Sequence, residues 1–375
     1  MNKNHSLRIS AYVKGDKNTP DYYRIHQYLY RLESDDIHTE FHEMLPAKLY
    51  HKYVPIRNNN IVIVVFLFFL VYCRTILALL KDAILSPDVM VINRRIMPQR
   101  ALFPIWPLIR LLSHKKKTRI IWDFDDDIVK LGECTSRDFE LLSEYADHIV
   151  VTHPYLASLI NSHYHNKVTI LPTTDGDMFQ LFKENEQDSR LQSLSKEITL
   201  VWVATSGNLP FLESIMSQLD SAALTIFQKL DKKLTLKVIC NHPLIHHCQH
   251  LTVKNIPWSK ETAVDGMLNA HIGIMPLNDS EIARGKGGFK LIQYLSVGLP
   301  CIGTDIGFNN QVVDSSCGRL IPVNQPMLWT DAIIDLANIN TWQTYSQNAY
   351  KKWNSNFSFE SNLNVWKKML YSIPS

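Results

Sequence analysis

Seven consecutive residues, Arg284-Gly285-Lys286-Gly287-Gly288-Phe289-Lys290, set three cations among three glycines at the start of an amphipathic stretch. That combination suits an anion. Glycine permits close backbone approach to a ligand, and the free amides at a helix N-terminus attract phosphate. Arg284, Lys286 and Lys290 add charge. No Gly-Lys-Ser or Gly-Lys-Thr follows, which excludes a P-loop, and the glycine spacing does not make a dinucleotide fingerprint.

A second candidate is the acidic run Asp123-Phe124-Asp125-Asp126-Asp127, which follows the strand-like Arg119-Ile120-Ile121-Trp122 and is expected at a strand's carboxyl end. Clustered carboxylates suit a hard cation, the orientation of an acceptor, or a structural turn; Asp125 and Asp126 are the picks. Tyr23-Arg24 opens a predicted helix. A cation there opposes the helix dipole, so Arg24 is expected either to meet an anionic ligand or to lie at the surface. Ser206, Gly207 and Asn208 follow an apolar run and can offer donors to phosphate. His242, His246, His247, Cys248 and His250 fit no standard zinc spacing and read as surface or packing residues. His153 follows a predicted strand, where packing and catalytic use are both open.

The text Gln293-Tyr294-Leu295-Ser296-Val297-Gly298-Leu299-Pro300, continued by residues 301–307 and Gly318-Arg319-Leu320, resembles the signature of family 4 retaining glycosyltransferases. It is similar in particular to a subgroup with an Arg-Gly-Lys-x-x-Phe-Lys-x-x-Gln-Tyr donor motif. The resemblance implies the GT-B fold, an α/β architecture of two facing Rossmann-like doubly wound lobes with a cleft between them. It implies a nucleoside diphosphate sugar as donor, a hydroxyl acceptor on a lipid-linked or growing cell-surface polysaccharide such as lipopolysaccharide, retention at the anomeric carbon, and no metal or other cofactor. Lys290 and Lys286 then neutralise the departing diphosphate, with Asp125 and Asp126 in catalytic support; Arg284, Gln293, Ser206, Gly207, Asn208, Gly15 and Arg24 bind the donor. Two positions depart from the family text: Gln293 and Gly285 stand where relatives carry Glu, the first of which holds the ribose hydroxyls. Sugar-nucleotide epimerases of the same fold, and a non-catalytic glycan-assembly protein, are the alternative readings.

These residues need elements to hold them. Short apolar runs at 7–13, 89–93, 119–123, 148–152 and 167–171 predict buried parallel strands in a first lobe, with a helix at 21–33. Runs at 199–204, 235–240, 272–276 and 300–304 repeat the rhythm. The polar stretch 184–197 reads as a linker. The expected organisation is an acceptor-side lobe over 1–183, a nucleotide-sugar lobe over 198–340, and helices over 341–375, the last crossing back to the first lobe.

The 375 residues exceed one ordinary core, and the formal charge of +3 is too small for nucleic-acid binding. Six scattered cysteines without a Cys-x-x-Cys pair and a polar start without a signal pattern fit the cytoplasm. One segment strains a soluble reading. Residues 61–80 are apolar apart from Tyr72, Arg74 and Thr75, and a basic stretch from Arg94 to Arg119 follows. A membrane span, a helix on the inner membrane surface and a buried element all remain open.

Overall fold

The computed structural model describes residues 6–15, 20–34, 36–54, 60–177 and 187–371. The chain divides into two compact units, residues 1–173 with 362–375, and residues 174–361.

Among the described residues the first unit holds six strands: β1 (Leu7–Val13), β2 (Ile37–Glu43), β3 (Val89–Asn93), β4 (Arg119–Phe124), β5 (His148–Val151) and β6 (Val168–Ile170). Their order is β2-β1-β3-β4-β5-β6, and every pairing is parallel. The order reverses between β1 and β3, which makes their carboxyl ends the topological switch point. The edge strand β2 is absent from the sequence reading because Ile-His-Thr-Glu-Phe-His-Glu is not an apolar run; only strands covered on both faces give that signal.

The helix predicted over 21–33 is α-helical only at His26–Leu32. Ahead of it Pro20–Tyr23 is a 3-10 turn, fixed by Asp21, whose carboxylate accepts the Lys14 and Gly15 amides at 2.6 and 3.1 Å. Residues 16–19 of the loop lie outside the described residues.

A 25-residue helix, Ile61–Leu85, covers the first sheet. The Asn60 side chain caps it by accepting the Val62 and Ile63 amides. Leu67, Val71, Thr75, Leu79 and Asp82 form its inward stripe. Asp82 is its polar tie to the sheet: the Ser10 and Tyr12 hydroxyls donate to its carboxylate at 2.6 and 2.7 Å.

The second unit repeats the scheme with β7 (Glu197–Val203), β8 (Lys233–Cys240), β9 (Thr252–Pro257), β10 (Ile272–Met275), β11 (Cys301–Thr304) and β12 (Gly318–Ile321). The order β12-β11-β10-β7-β8-β9 is again wholly parallel. Counted from β7 it is the dinucleotide-fold order, with its switch point between β7 and β10. Of the expected linker, 184–186 lie outside the described residues, and Gln187–Leu194 is a helix packed on this sheet. The helix Phe359–Tyr371 closes the first unit: Asn362 donates to the Tyr28 hydroxyl and the Pro172 carbonyl, and Arg119 to the Met369 and Leu370 carbonyls.

His271 knits the second unit together. Its Nδ1 accepts the Thr199 amide at 2.8 Å, its Nε2 lies 3.0 Å from the Arg190 carbonyl, and its own carbonyl accepts the Trp342 indole. Burial lowers its pKa to about 4, because an imidazolium there has no water and would lose Nδ1 as an acceptor. The unfolded chain therefore takes up a proton that the folded unit refuses. Stability from His271 is complete above the ordinary value of 6.5 and falls as pH drops from there toward 4. Urea unfolding of the second unit is expected to lose a few kcal/mol across that window, and His271→Asn to remove most of the slope while lowering stability at neutral pH. An unchanged slope in the variant would assign the loss to other groups.

Candidate functional site

At the switch point of the second unit the side chain of Tyr294 joins the two parting strands. Its hydroxyl accepts the Val203 amide at 3.1 Å and donates to the Ile274 carbonyl at 3.3 Å. The ring occupies the space a side chain on Gly273 would need, since a Cβ there would lie 2.4 Å from it. Tyr294 thereby fastens the helix Phe289–Ser296 to the ends of β7 and β10. Lys290 lies one turn earlier on the same helix face, so it is carried over the carboxyl edge of the sheet.

The glycines of the basic loop have distinct uses. Gly288 caps the helix at φ +64°, a left-handed conformation that side chains disfavour. Across from it Gly307, at φ +58°, lets the loop after β11 approach the Arg284 carbonyl; an added Cβ would stand 2.9 Å from that oxygen. The loops after β10 and β11 are joined by Thr304, whose hydroxyl accepts the Leu277 amide.

The predicted donor contacts separate into groups. Lys286 and Lys290 are half-buried beside the helix start. The Arg284 guanidinium is held by Asp279, both of them exposed. The Ser206 amide donates to Asn241 Oδ1 at 2.7 Å, and the Asn208 side chain bonds back to Thr205, so these two donors are engaged within the unit; Gly207 is exposed. Gln293 donates to Asp175 Oδ2 at 3.1 Å. Asp175 was missing from the sequence reading, and no local pattern marks it, because its partner lies 118 residues away. Burial pushes its carboxyl up, against the pull of the Asp177 amide and Gln293.

In the first unit the candidate residues form a polar network at the ends of β1, β3 and β4. Arg24, expected at the surface or against an anionic ligand, is buried. Its guanidinium makes a two-pronged pair with Asp123 at 3.2 and 2.5 Å and donates to the Leu171 carbonyl and the Thr173 hydroxyl. Asn93 adds a third bond to Asp123 at 2.9 Å. Asp123 holds the Arg24 pKa above its ordinary value despite burial. Gly15 is drawn in as well, its amide bonded to Asp21 and its carbonyl 3.0 Å from His26 Nε2.

Arg94, at the end of β3 with φ +60°, gathers the acidic run: it donates to Asp125 at 2.7 Å, Asp126 at 3.0 Å and Glu133 at 3.1 Å. Asp125 and Asp126 are thus brought together by one guanidinium, each half-exposed. His153 is buried with its ring stacked on Tyr155. His242, His246, His247 and His250 are exposed, and among the described residues no group of three His, Cys, Asp or Glu is placed to hold a metal ion.

The chain superposes on solved structures at low identity. Anabaena HepE in complex with UDP and glucose matches with a TM-score of 0.65 at 10% identity, over 98% of this chain and 100% of that one. Sucrose-phosphate synthase from Thermosynechococcus elongatus matches with 0.59 at 11%, over 97% and 98%. A putative UDP-N-acetylglucosamine 2-epimerase from Listeria monocytogenes matches with 0.59 at 9%, over 97% and 96%. Neither a protein-family model nor a curated protein sequence matches the chain. The fold is GT-B.

Arg24→Ala would leave Asp123 as a buried carboxylate without its cation, an arrangement that costs about 3–5 kcal/mol. Chemical denaturation of the first unit is expected to show that loss, with little recovery in Arg24→Lys, which lacks the two-pronged donor. A loss below about 1 kcal/mol would mean that the pair adds no more than an exposed one.

Proposed function

We propose that the chain is a glycosyltransferase that moves a sugar from a nucleoside diphosphate sugar to a hydroxyl acceptor. The observation that carries this reading is the Tyr294 anchor, which holds Lys290, with Lys286 nearby, over the carboxyl edge of a dinucleotide-type sheet at its switch point. Ligands of open parallel sheets bind at that place. The bound UDP of the HepE structure supports a nucleotide-sugar donor.

In the proposed reaction the bond from the anomeric carbon to the β-phosphate oxygen breaks, and its electron pair leaves with the diphosphate. The fixed cations of Lys290 and Lys286 stabilise the charge that develops there. The acceptor oxygen bonds to the anomeric carbon, and its proton passes to the oxygen of the departing diphosphate. In the first unit Asp125 and Asp126, held by Arg94, are assigned to the acceptor. Retention of configuration and membership of family 4 rest on the motif from Arg284 to Pro300. The acceptor is a lipid-linked or growing cell-surface polysaccharide, and the compartment is the cytoplasmic side of the membrane.

Gln293 and Asp175 act as a pair in the donor site. The amide of Gln293 joins a carboxylate already present, so the Glu of relatives would set two carboxylates about 3 Å apart, which cannot both stay ionised at low cost. Gln293→Glu is expected to weaken nucleoside diphosphate binding, and Asp175→Asn in the same chain to restore it. Calorimetric titration reads both; an unaffected single variant would remove the pair from the site.

Thermal shift against UDP, GDP, ADP and dTDP identifies the nucleotide, since a ligand of the folded state raises Tm. With the matching sugar nucleotide and a glycan acceptor, Lys290→Ala is expected to lower kcat about 100- to 1000-fold. An epimerised sugar nucleotide formed without any acceptor would replace the transferase reading with an epimerase one.

A further inference from the structure

The helix Ile61–Leu85 presents an apolar stripe to the outside as well as one to the sheet. Val62, Val65, Phe66, Phe69, Leu77, Leu80 and Ile84 are exposed, Ile84 at 80%. With half-buried Cys73 they recur at three- and four-residue steps, so they form one line about 33 Å long. Phe103, 81% exposed, stands beside the line, because the Tyr72 hydroxyl donates to its carbonyl. A surface helix of a water-soluble unit carries polar residues on that face. This one carries none.

The flanks are basic. Residues 44–81 and 89–122 have thirteen Lys or Arg and not one Asp or Glu, with Arg94 and Arg95 taken up by the carboxylate of Glu133. On one flank Arg74 and Lys81, seven residues apart, are tied to the Glu43 carbonyl and the Glu40 carboxylate of β2, and Lys52 lies over Tyr53, whose ring meets Phe66. On the other flank the helix Ile105–Arg110 and the turn Leu111–Lys115 pack against the long helix. That segment ends in exposed Arg110, Lys115, Lys116 and Lys117, none of which has a carboxylate partner among the described residues.

We propose that this face docks on an anionic lipid bilayer, with the helix lying in the interface and its outward stripe inserted among the headgroups and upper acyl chains. Apolar insertion and basic flanks are the two complementary terms of peripheral membrane binding. A spanning position conflicts with the inward stripe, since Leu67, Val71 and Leu79 belong to the core of the first unit and Asp82 holds Ser10 and Tyr12. Pairing of two copies through the same face would bring the basic flanks together. The inference stands independently of the donor reading, because it concerns the first unit alone and is tested without nucleotide.

The test is flotation of the full chain with vesicles of phosphatidylcholine alone or with about one third phosphatidylglycerol. Binding is expected to the anionic vesicles and to fall with salt. Phe66→Ser/Phe69→Ser/Leu77→Ser is expected to bind about a hundredfold more weakly or less with an unchanged Tm, and Lys115→Gln/Lys116→Gln/Lys117→Gln about tenfold more weakly on anionic vesicles only. With Cys73 and Cys248 replaced by serine, cysteines at Asn60→Cys and Lys81→Cys are both expected to react with an impermeant maleimide added outside. Absence of flotation, binding that ignores the stripe variant, or a lipid-free dimer abolished by that variant would each overturn the proposal, as would labelling at one end alone, which marks a span.

Discussion

Parallel pairing is the constraint on which the structure depends. Every strand pair in both sheets runs the same way, so within each unit all carboxyl ends meet at one edge and all returning helices cover the faces. Loops that would otherwise be scattered along the sequence are thereby collected. In the second unit the collected loops are those around Ser206, Asn278 and Lys286; in the first they are those around Gly15, Arg94 and Asp125. Tyr294 exploits this arrangement, reaching the ends of two strands where their order reverses.

Collected polar groups must also be satisfied, and most are satisfied by one another. Arg24 and Asp123 form a buried pair with Asn93, and Arg94 holds three carboxylates. Such ties set backbone positions at the sheet edge: Arg24 joins the turn after β1 to the end of β4 and to the chain leaving β6. A buried pair of this kind fixes geometry more than it adds net stability, since desolvation offsets much of the attraction.

Legibility in the sequence followed locality. Strands covered on both faces announce themselves, and Leu7–Val13 and Val89–Asn93 have the bounds their apolar runs suggest. The edge strands Ile37–Glu43 and Thr252–Pro257 do not, because exposure on one face replaces apolar residues with His, Glu, Lys and Asn. The glycine-rich loop was readable because its cations and glycines are neighbours. Arg24 was misjudged for the opposite reason: its carboxylate lies 99 residues away, and a cation at a helix start looks free when the partner is invisible. Gln293 could be placed by its motif, whereas its bond to Asp175 required the fold. The apolar segment after Asn60 left three readings open because no local pattern tells which of its apolar residues pack on the sheet; the fold gives it an inward stripe and an outward one.

The central claim is that the carboxyl edge of the second sheet receives a nucleoside diphosphate between the Ser206 loop and the Lys286–Lys290 helix start. Amide hydrogen exchange, followed by mass spectrometry with and without saturating nucleoside diphosphate, tests it residue by residue. Slowed exchange is expected in residues 204–208 and 284–290. Unchanged exchange in both segments, with protection confined to other loops while ligand is bound, would contradict it.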